Sequence, residues 1–161
     1  PVSSPGLDNL AVTHRLLTDF DVSASLQFGR KPQRDTAYGL AFRVTDRGRY
    51  ELVLNLATSQ WQFREVQVAT RHIAVLASGV PSALGAGQAP DTLRVVGRGA
   101  TFDLFVNGTH VGTATNREFD RGEFGLVCSS RSANSVSTTN RYKATSLKVL
   151  PPQGPFEGSI S

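Results

Sequence analysis

The stretch Tyr38-Gly39-Leu40-Ala41-Phe42-Arg43-Val44-Thr45 has an apolar residue at every second position. This period of two is typical of a β-strand that buries one face. The next residues, Asp46-Arg47-Gly48, predict a three-residue hairpin loop in which Gly48 takes the positive φ required at the last position. The sequence therefore predicts an antiparallel hairpin here, with a register that the loop fixes.

The same reasoning extends along the chain through three further turns. Thr58-Ser59 and Arg98-Gly99 are interpreted as two-residue turns, and Asn107-Gly108 is a strong signal for a type I′ turn. The predicted cross-strand pairs are Val44–Tyr50, Phe42–Leu52, Leu40–Leu54, Arg43–Glu51, Leu56–Trp61, Leu54–Phe63, Asn55–Gln62, Val53–Arg64, Val95–Phe102, Leu93–Leu104, Arg94–Asp103, Val106–Thr109 and Leu104–Val111. Turns chosen on local chemistry thus give mutually consistent faces, as expected of a real fold.

No ten-residue stretch has a convincing helical period, so the predicted class is all-β. Strands are predicted near 11–17, 20–28, 38–45, 49–56, 60–67, 71–77, 92–97, 101–106, 109–114, 122–128 and 141–149. One domain over 10–150 is expected, between a linker-like segment 1–9 and a Pro/Gly-rich tail 151–161. The polar stretch 129–140 is either a mobile surface loop or a binding loop.

Composition excludes several classes of function. No run approaches the roughly 20 apolar residues of a membrane span, so no membrane insertion is expected. The net charge of +4 comes from 14 Arg and 3 Lys against 13 acidic residues, and the Arg are scattered. A nucleic-acid-binding protein more often has a clustered basic stripe with interleaved aromatics, so nucleic acid is not expected as a partner.

Residues that could react or bind metal are isolated. Cys128 is the only cysteine, which excludes an internal disulfide, and its apolar surroundings favour a buried small thiol. His14, His72 and His110 are far apart, and none has a second ligand at metal spacing. No metal site and no cofactor is therefore predicted.

The sequence resembles the concanavalin A-like, laminin-G-like jelly-roll domains over most of its length. It is most similar to the bacterial branch that contains the keto-disaccharide hydrolase-like domains, a branch related to family 16 glycoside hydrolases. The segments that carry the resemblance are 38–43, 49–52, 61–64, 91–99, 102–108, 121–126 and 144–149. They are structural motifs, such as the "vNG" hairpin and the following "G.vGl" strand.

The resemblance implies a two-sheet antiparallel β-sandwich. It also implies an extracytoplasmic, non-catalytic module that recognises carbohydrate or another cell-surface polymer, for example the sensor ectodomain of a bacterial membrane protein such as a protein kinase. The alternatives are a structural or adhesive subunit that meets protein partners through edge strands, and a glycoside hydrolase-like enzyme. Some relatives bind Ca²⁺, but the isolated Asp19, Asp21 and Asp46 give no support for such a site.

Glu118, Asp120 and Glu123 fit the E-x-D-x-x-E spacing of family 16 glycoside hydrolases. Retaining hydrolysis needs two carboxyl groups about 5–5.5 Å apart on a rigid strand. Arg121-Gly122 interrupts the strand period between these carboxylates, so the sequence favours a polar turn that leads into the strand at 122–128. No catalytic residue is predicted.

The remaining candidate site is the face of the predicted sheet opposite to the core. Predicted pairing brings polar side chains together there, and in jelly rolls of this type one sheet often holds the ligand. The candidate ligand-binding residues are Arg43, Asn55, Gln62 and Arg64. Their amide and guanidinium groups can bind sugar hydroxyls or a carboxylate. The alternative is a solvated face with an Arg43–Glu51 ion pair.

Overall fold

The computed structural model describes residues 9–12, 18–28, 36–55, 58–81, 91–130 and 142–150. Its eleven strands are β1 (Asn9–Val12), β2 (Phe20–Phe28), β3 (Thr36–Val44), β4 (Gly48–Asn55), β5 (Gln60–Gln67), β6 (His72–Gly79), β7 (Asp91–Arg98), β8 (Thr101–Val106), β9 (Thr109–Thr115), β10 (Glu123–Ser130) and β11 (Tyr142–Leu150). The described ranges contain no helix, so the all-β prediction is confirmed.

The strands form two antiparallel sheets. The six-stranded sheet has the order β1-β10-β3-β4-β5-β6, and the five-stranded sheet has the order β11-β2-β7-β8-β9. The chain passes from one sheet to the other between β1 and β2, β2 and β3, β6 and β7, β9 and β10, and β10 and β11. Strands that are distant in sequence therefore pair within a sheet, as β10 does with β3 and β2 with β7. This is the predicted two-sheet β-sandwich.

Aromatic rings join the two sheets at the centre of the core. Phe42 and Phe63 of the six-stranded sheet lie 5.3 and 5.6 Å, centroid to centroid, from Phe102 of the five-stranded sheet. Tyr50 approaches the same Phe102 ring to 5.0 Å. Tilted rings at these separations are favoured beyond the area that they bury. The predicted inward orientation of Phe42, Phe63 and Trp61 is confirmed, since each is at most 5% exposed.

Most predicted faces are correct although three of the predicted registers are wrong. Observed pairs include Phe42–Tyr50, Leu40–Leu52, Leu54–Trp61, Leu52–Phe63, Glu51–Arg64, Val53–Gln62, Val95–Leu104 and Leu93–Val106. Each of these three hairpins, β3–β4, β4–β5 and β7–β8, is displaced by two residues from its prediction. A two-residue displacement leaves each side chain on the same face, because side chains alternate with a period of two.

The displacements arise in the turns. Asn55 pairs with Gln60, so the β4–β5 connection is longer than the predicted Thr58-Ser59 turn. Arg98 pairs with Thr101, which makes Gly99-Ala100 the β7–β8 turn. The Asn107-Gly108 turn is confirmed by the pair Val106–Thr109, although a bulge then places Leu104 opposite Gly112 rather than Val111.

Several predictions fall on parts of the chain outside the described residues. These parts include His14, the side chain of Cys128, nearly all of the linker-like segment, the C-terminal tail and most of the 129–140 stretch. β1 is Asn9–Val12, and residues 13–17 of the first predicted strand lie outside the described residues. Within the described ranges, no helix is long and apolar enough to span a membrane.

Candidate functional site on the outer face of the six-stranded sheet

β4 and β5 place polar side chains on the face of the six-stranded sheet that points away from the core. Glu51 lies opposite Arg64 in the ladder, and Asn55 lies opposite Gln60. Gln62, between them on β5, pairs with Val53. Three of the four predicted site residues, Asn55, Gln62 and Arg64, therefore share this outer face. Their role as ligand-binding residues stays a prediction.

A buried ionic cluster lies at the centre of this face. Glu51 is fully buried, and its Oε2 accepts a hydrogen bond of 2.7 Å from Arg49 Nε. Its Oε1 accepts one of 3.1 Å from Arg64 Nε and a second from the same guanidinium. Arg49 and Arg64 are themselves only 6% and 9% exposed. We call these three residues the Glu51 cluster.

In the Glu51 cluster two guanidinium groups bind one carboxylate, in a part of the sheet that is shielded from water. Hydrogen bonds to Glu51 fix the orientation of both guanidinium groups. Charge-assisted bonds of this kind are stronger and more directional than neutral ones. Both guanidinium groups are therefore held in place without further ordering of long side chains.

Amide side chains surround the cluster. Asn55, Gln60 and Gln62 are half-buried, and Ser78 on β6, opposite Gln62, is exposed. Each amide can both donate and accept a hydrogen bond. Small apolar residues fill the adjacent part of the face: Ala37, Ala41, Val53 and Val127. The face therefore combines half-buried neutral amides with a buried ionic cluster whose guanidinium groups are held in place.

Sequence reasoning missed Arg49, because it paired this residue with Thr45 at the hairpin end. The signal was available, since Arg49 has the same strand parity as Glu51 and Val53. What could not be read from the sequence is that both Arg49 and Arg64 bind the same carboxylate. The observed register of β4 with β5 decides that arrangement.

The predicted position of Arg43 is wrong. Its φ of 49° lies in the left-handed region, whereas the predicted positive φ at Gly48 is not found. The ladder between β10 and β3 shifts here, with Glu123 opposite Val44 but Gly125 opposite Ala41. This β-bulge removes Arg43 from the alternation and turns its side chain inward. Arg43 therefore does not pair with Glu51.

Arg43 instead holds three connections together at one end of the sandwich. Its guanidinium donates to the carbonyl oxygens of Phe119 and Thr18, both at 2.9 Å, and to that of Gly99. It also lies 4.7 Å above the centroid of the Phe102 ring. Burial lowers the pKa of Arg43, and nearby Asp19 and Asp120 oppose that shift. Arg43 also borders a shallow pocket of about 330 Å³.

Comparison with solved structures identifies the architecture. The carbohydrate binding module CBM66 from Bacillus subtilis superposes with a TM-score of 0.71 at 15% identity, covering 88% of this chain and 81% of that one. The Caenorhabditis elegans galectin LEC-6 gives 0.58 at 12% identity, covering 83% of each chain. The fold is a concanavalin A-like jelly roll.

Enzymes share this jelly roll as well. A Bacteroides ovatus mixed-linkage glucan GH16 protein, solved with a G4G4G3G product, has a TM-score of 0.60 at 8% identity. The likeness covers 84% of this chain and 71% of that one. No family model and no curated protein matches the sequence. Binding modules, galectins and hydrolases are thus all represented among the structural neighbours.

Two of the three candidate carboxylates lie in a loop, and the third lies at the start of a strand. Glu118 and Asp120 are exposed in the β9–β10 connection, and Glu123 begins β10. The sequence prediction of a polar turn is confirmed. Phe119, between the two exposed carboxylates, is buried beneath the loop and anchors it, with its N–H donating to the Tyr50 hydroxyl at 3.1 Å.

The two described histidines are exposed, and no group of three potential metal ligands occurs in the described part of the chain. His110 Nε2 lies 3.3 Å from Asp103 Oδ1 and 3.1 Å from Thr113 Oγ1 on the outer face of the five-stranded sheet. Thr113 donates its proton to Asp103 rather than to His110. In this arrangement His110 is not poised to activate the hydroxyl as a nucleophile.

Proposed function

We propose that this jelly roll is a non-catalytic recognition module that binds carbohydrate on the outer face of its six-stranded sheet. The observation that carries the proposal is the Glu51 cluster, flanked by the amide side chains of Asn55 and Gln62. Sugars present adjacent hydroxyl groups that both donate and accept. Amides and guanidinium groups are suited to bind such hydroxyls.

Preorganisation supports the same proposal. Binding by long side chains normally loses about 0.5–1.5 kcal/mol for each one that becomes immobilised. Arg49 and Arg64 are already held by Glu51, so a ligand at this face does not have to order them. The buried ion cluster thus has a role beyond stability, since buried ion pairs often stabilise a fold no more than apolar residues do.

The fold is in keeping with this function. Structural neighbours include proteins described as a carbohydrate binding module and as galectins. We extend the proposal to an extracytoplasmic location, with the module forming part of a larger surface protein such as the sensor ectodomain of a membrane kinase. Protease accessibility on intact cells tests the location, and the complete reading frame tests the domain context.

The binding test uses an array of neutral and uronate-containing glycans, followed by calorimetry on the best ligand. Gln62→Ala is expected to weaken binding about tenfold, because it removes a hydrogen bond that contributes about 1.4 kcal/mol. Gln67→Ala is the matched control: it removes the same group from the same strand but at the other parity, where Gln67 binds Glu65. Equal losses in both variants would contradict the assignment of the face.

Two other outcomes would replace the proposal. Stable self-assembly without binding to any glycan would favour the structural or adhesive alternative. Release of reducing ends, abolished by Glu118→Gln or Glu123→Gln, would favour the glycoside hydrolase-like alternative.

A further inference from the structure

The exposed large hydrophobic side chains of the described residues all lie on β6 or next to its end. They are Ile73, Val75, Leu76 and Val80, with exposed fractions of 38%, 50%, 39% and 74%. β6 is also an edge strand of the six-stranded sheet. Contiguous apolar side chains on a sheet edge, together with an open row of backbone donors and acceptors, mark a surface that pairs with another strand.

The strand has few of the features that protect edges from such pairing. His72–Gly79 contains no Lys, Arg, Asp, Glu or Pro, and its one irregularity is the bulge at Leu76. One edge of the other sheet differs. β9, Thr109–Thr115, has three Thr together with His, Val, Gly and Ala, and none of its residues is a large exposed hydrophobic. Of the two edge strands whose side chains the structure describes, β6 and β9, only β6 is therefore apolar.

The absence of Lys, Arg, Asp and Glu from β6 indicates which partner fits this edge. A neutral strand offers nothing to select an acidic or a basic peptide, but it meets a second copy of itself without like-charge repulsion. Arg71, exposed directly before β6, lies opposite the far end of the other strand in an antiparallel pair, so two Arg71 side chains do not meet. Arg64 and Glu65 on the neighbouring β5 are engaged by Glu51 and Gln67. Antiparallel pairing about a two-fold axis is self-complementary, so apolar residues of one copy meet apolar residues of the other.

We propose that two copies of this chain associate through antiparallel pairing of β6 with β6. The six-stranded sheets then form one continuous sheet across the dimer. Because the two-fold axis of such a pair is perpendicular to the sheet, both outer faces lie on the same side. The inference does not depend on the proposed function, since β6 carries none of the Glu51 cluster.

The test is sedimentation velocity of the chain between about 1 and 100 µM, a range in which a specific dimer shows concentration dependence. The unaltered chain is expected to form a dimer and no larger species. Val75→Lys puts a cation near the middle of β6 in both copies and is expected to raise the dimer dissociation constant about tenfold or more. Val75 is half exposed, so folding should be retained, as circular dichroism checks.

Ile73→Lys serves as a second variant on the same strand, and Thr115→Lys places the same charge on the β9 edge. Weakening by both β6 variants with an unchanged dimer in Thr115→Lys supports the proposal. A chain that stays monomeric at the highest concentration overturns it. A dimer that survives both β6 variants, or that Thr115→Lys weakens equally, also overturns it.

Discussion

At the scale of single residues, Arg43 and Tyr38 are buried polar groups that link the two sheets. Arg43, on β3, binds the carbonyl oxygen of Gly99 in the β7–β8 turn. The Tyr38 hydroxyl, also on β3, donates at 2.7 Å to Asp91 on β7, and Asp91 further accepts from Asn107 at 3.0 Å. Neither link lies on the candidate ligand face.

Arg43→Ala is expected to destabilise the fold by about 3 kcal/mol, because buried carbonyl groups lose charged donors and a cavity forms beside Phe102. The measurement is equilibrium unfolding in urea. Arg121→Ala is the control, since Arg121 is exposed in the same connection as Phe119. Similar free energies of unfolding for both variants would show that the buried contacts of Arg43 contribute little.

Stability should fall at alkaline pH. Burial, followed by the hydrogen bond to Asp91, raises the pKa of Tyr38 far above its ordinary value. Tyr38 therefore contributes its full stabilisation below the pKa of a tyrosine in the unfolded chain, about 10. Above that pH, the free energy of unfolding decreases by up to about 1.4 kcal/mol per pH unit for each such tyrosine. Tyr50, whose pKa burial also raises, adds to this slope.

Tyr38→Phe is expected to make the alkaline loss of stability shallower. It should also lower stability at neutral pH by about 1–2 kcal/mol, because Asp91 loses a partner. Urea unfolding at a series of pH values from 8 to about 11 measures both effects. An unchanged slope would mean that Tyr38 ionises normally in the folded state.

At the scale of elements, β3 and β4 approach closely at Gly39. A Cβ added to Gly39 would lie 2.0 Å from the carbonyl oxygen of Leu52, a backbone atom that cannot rotate away. Gly39→Ala is expected to cost about 3 kcal/mol or more in unfolding free energy. Gly99→Ala, in open space but at a φ of +55°, should cost only about 1 kcal/mol. Comparable costs in urea unfolding would contradict the backbone clash.

Strand faces were predictable because alternation depends only on local sequence. Leu54 and Phe63 are in the core as predicted, although each pairs with a different residue from the one expected. Exact partners depended on turn lengths, which the local signals at Thr58-Ser59 and Arg98-Gly99 did not define. The prediction for Arg43 failed for a different reason. A β-bulge moves a side chain to the opposite face of the sheet, and the alternation of the sequence does not reveal where a bulge occurs.

At the scale of the whole molecule, the two proposals combine into one prediction. A β6-mediated dimer presents two candidate binding faces on the same side, so a surface-bound polymer can occupy both. Val75→Lys should then weaken binding to an immobilised polymer by about 100-fold, while calorimetric affinity for a short soluble ligand stays unchanged. Equal affinities of both proteins for the immobilised polymer would show that the two faces do not act together.

The sequence by itself determined the all-β class, nearly all strand positions and the inward placement of Phe42, Trp61 and Phe63, because period and turn composition are local properties. It also brought Asn55, Gln62 and Arg64 to one face. Only the tertiary structure decided that Glu51 binds both Arg49 and Arg64, that Arg43 lies between the sheets, and that β6 is at an edge of the six-stranded sheet. Register, bulges and strand order depend on contacts between distant segments, which alternation alone does not encode.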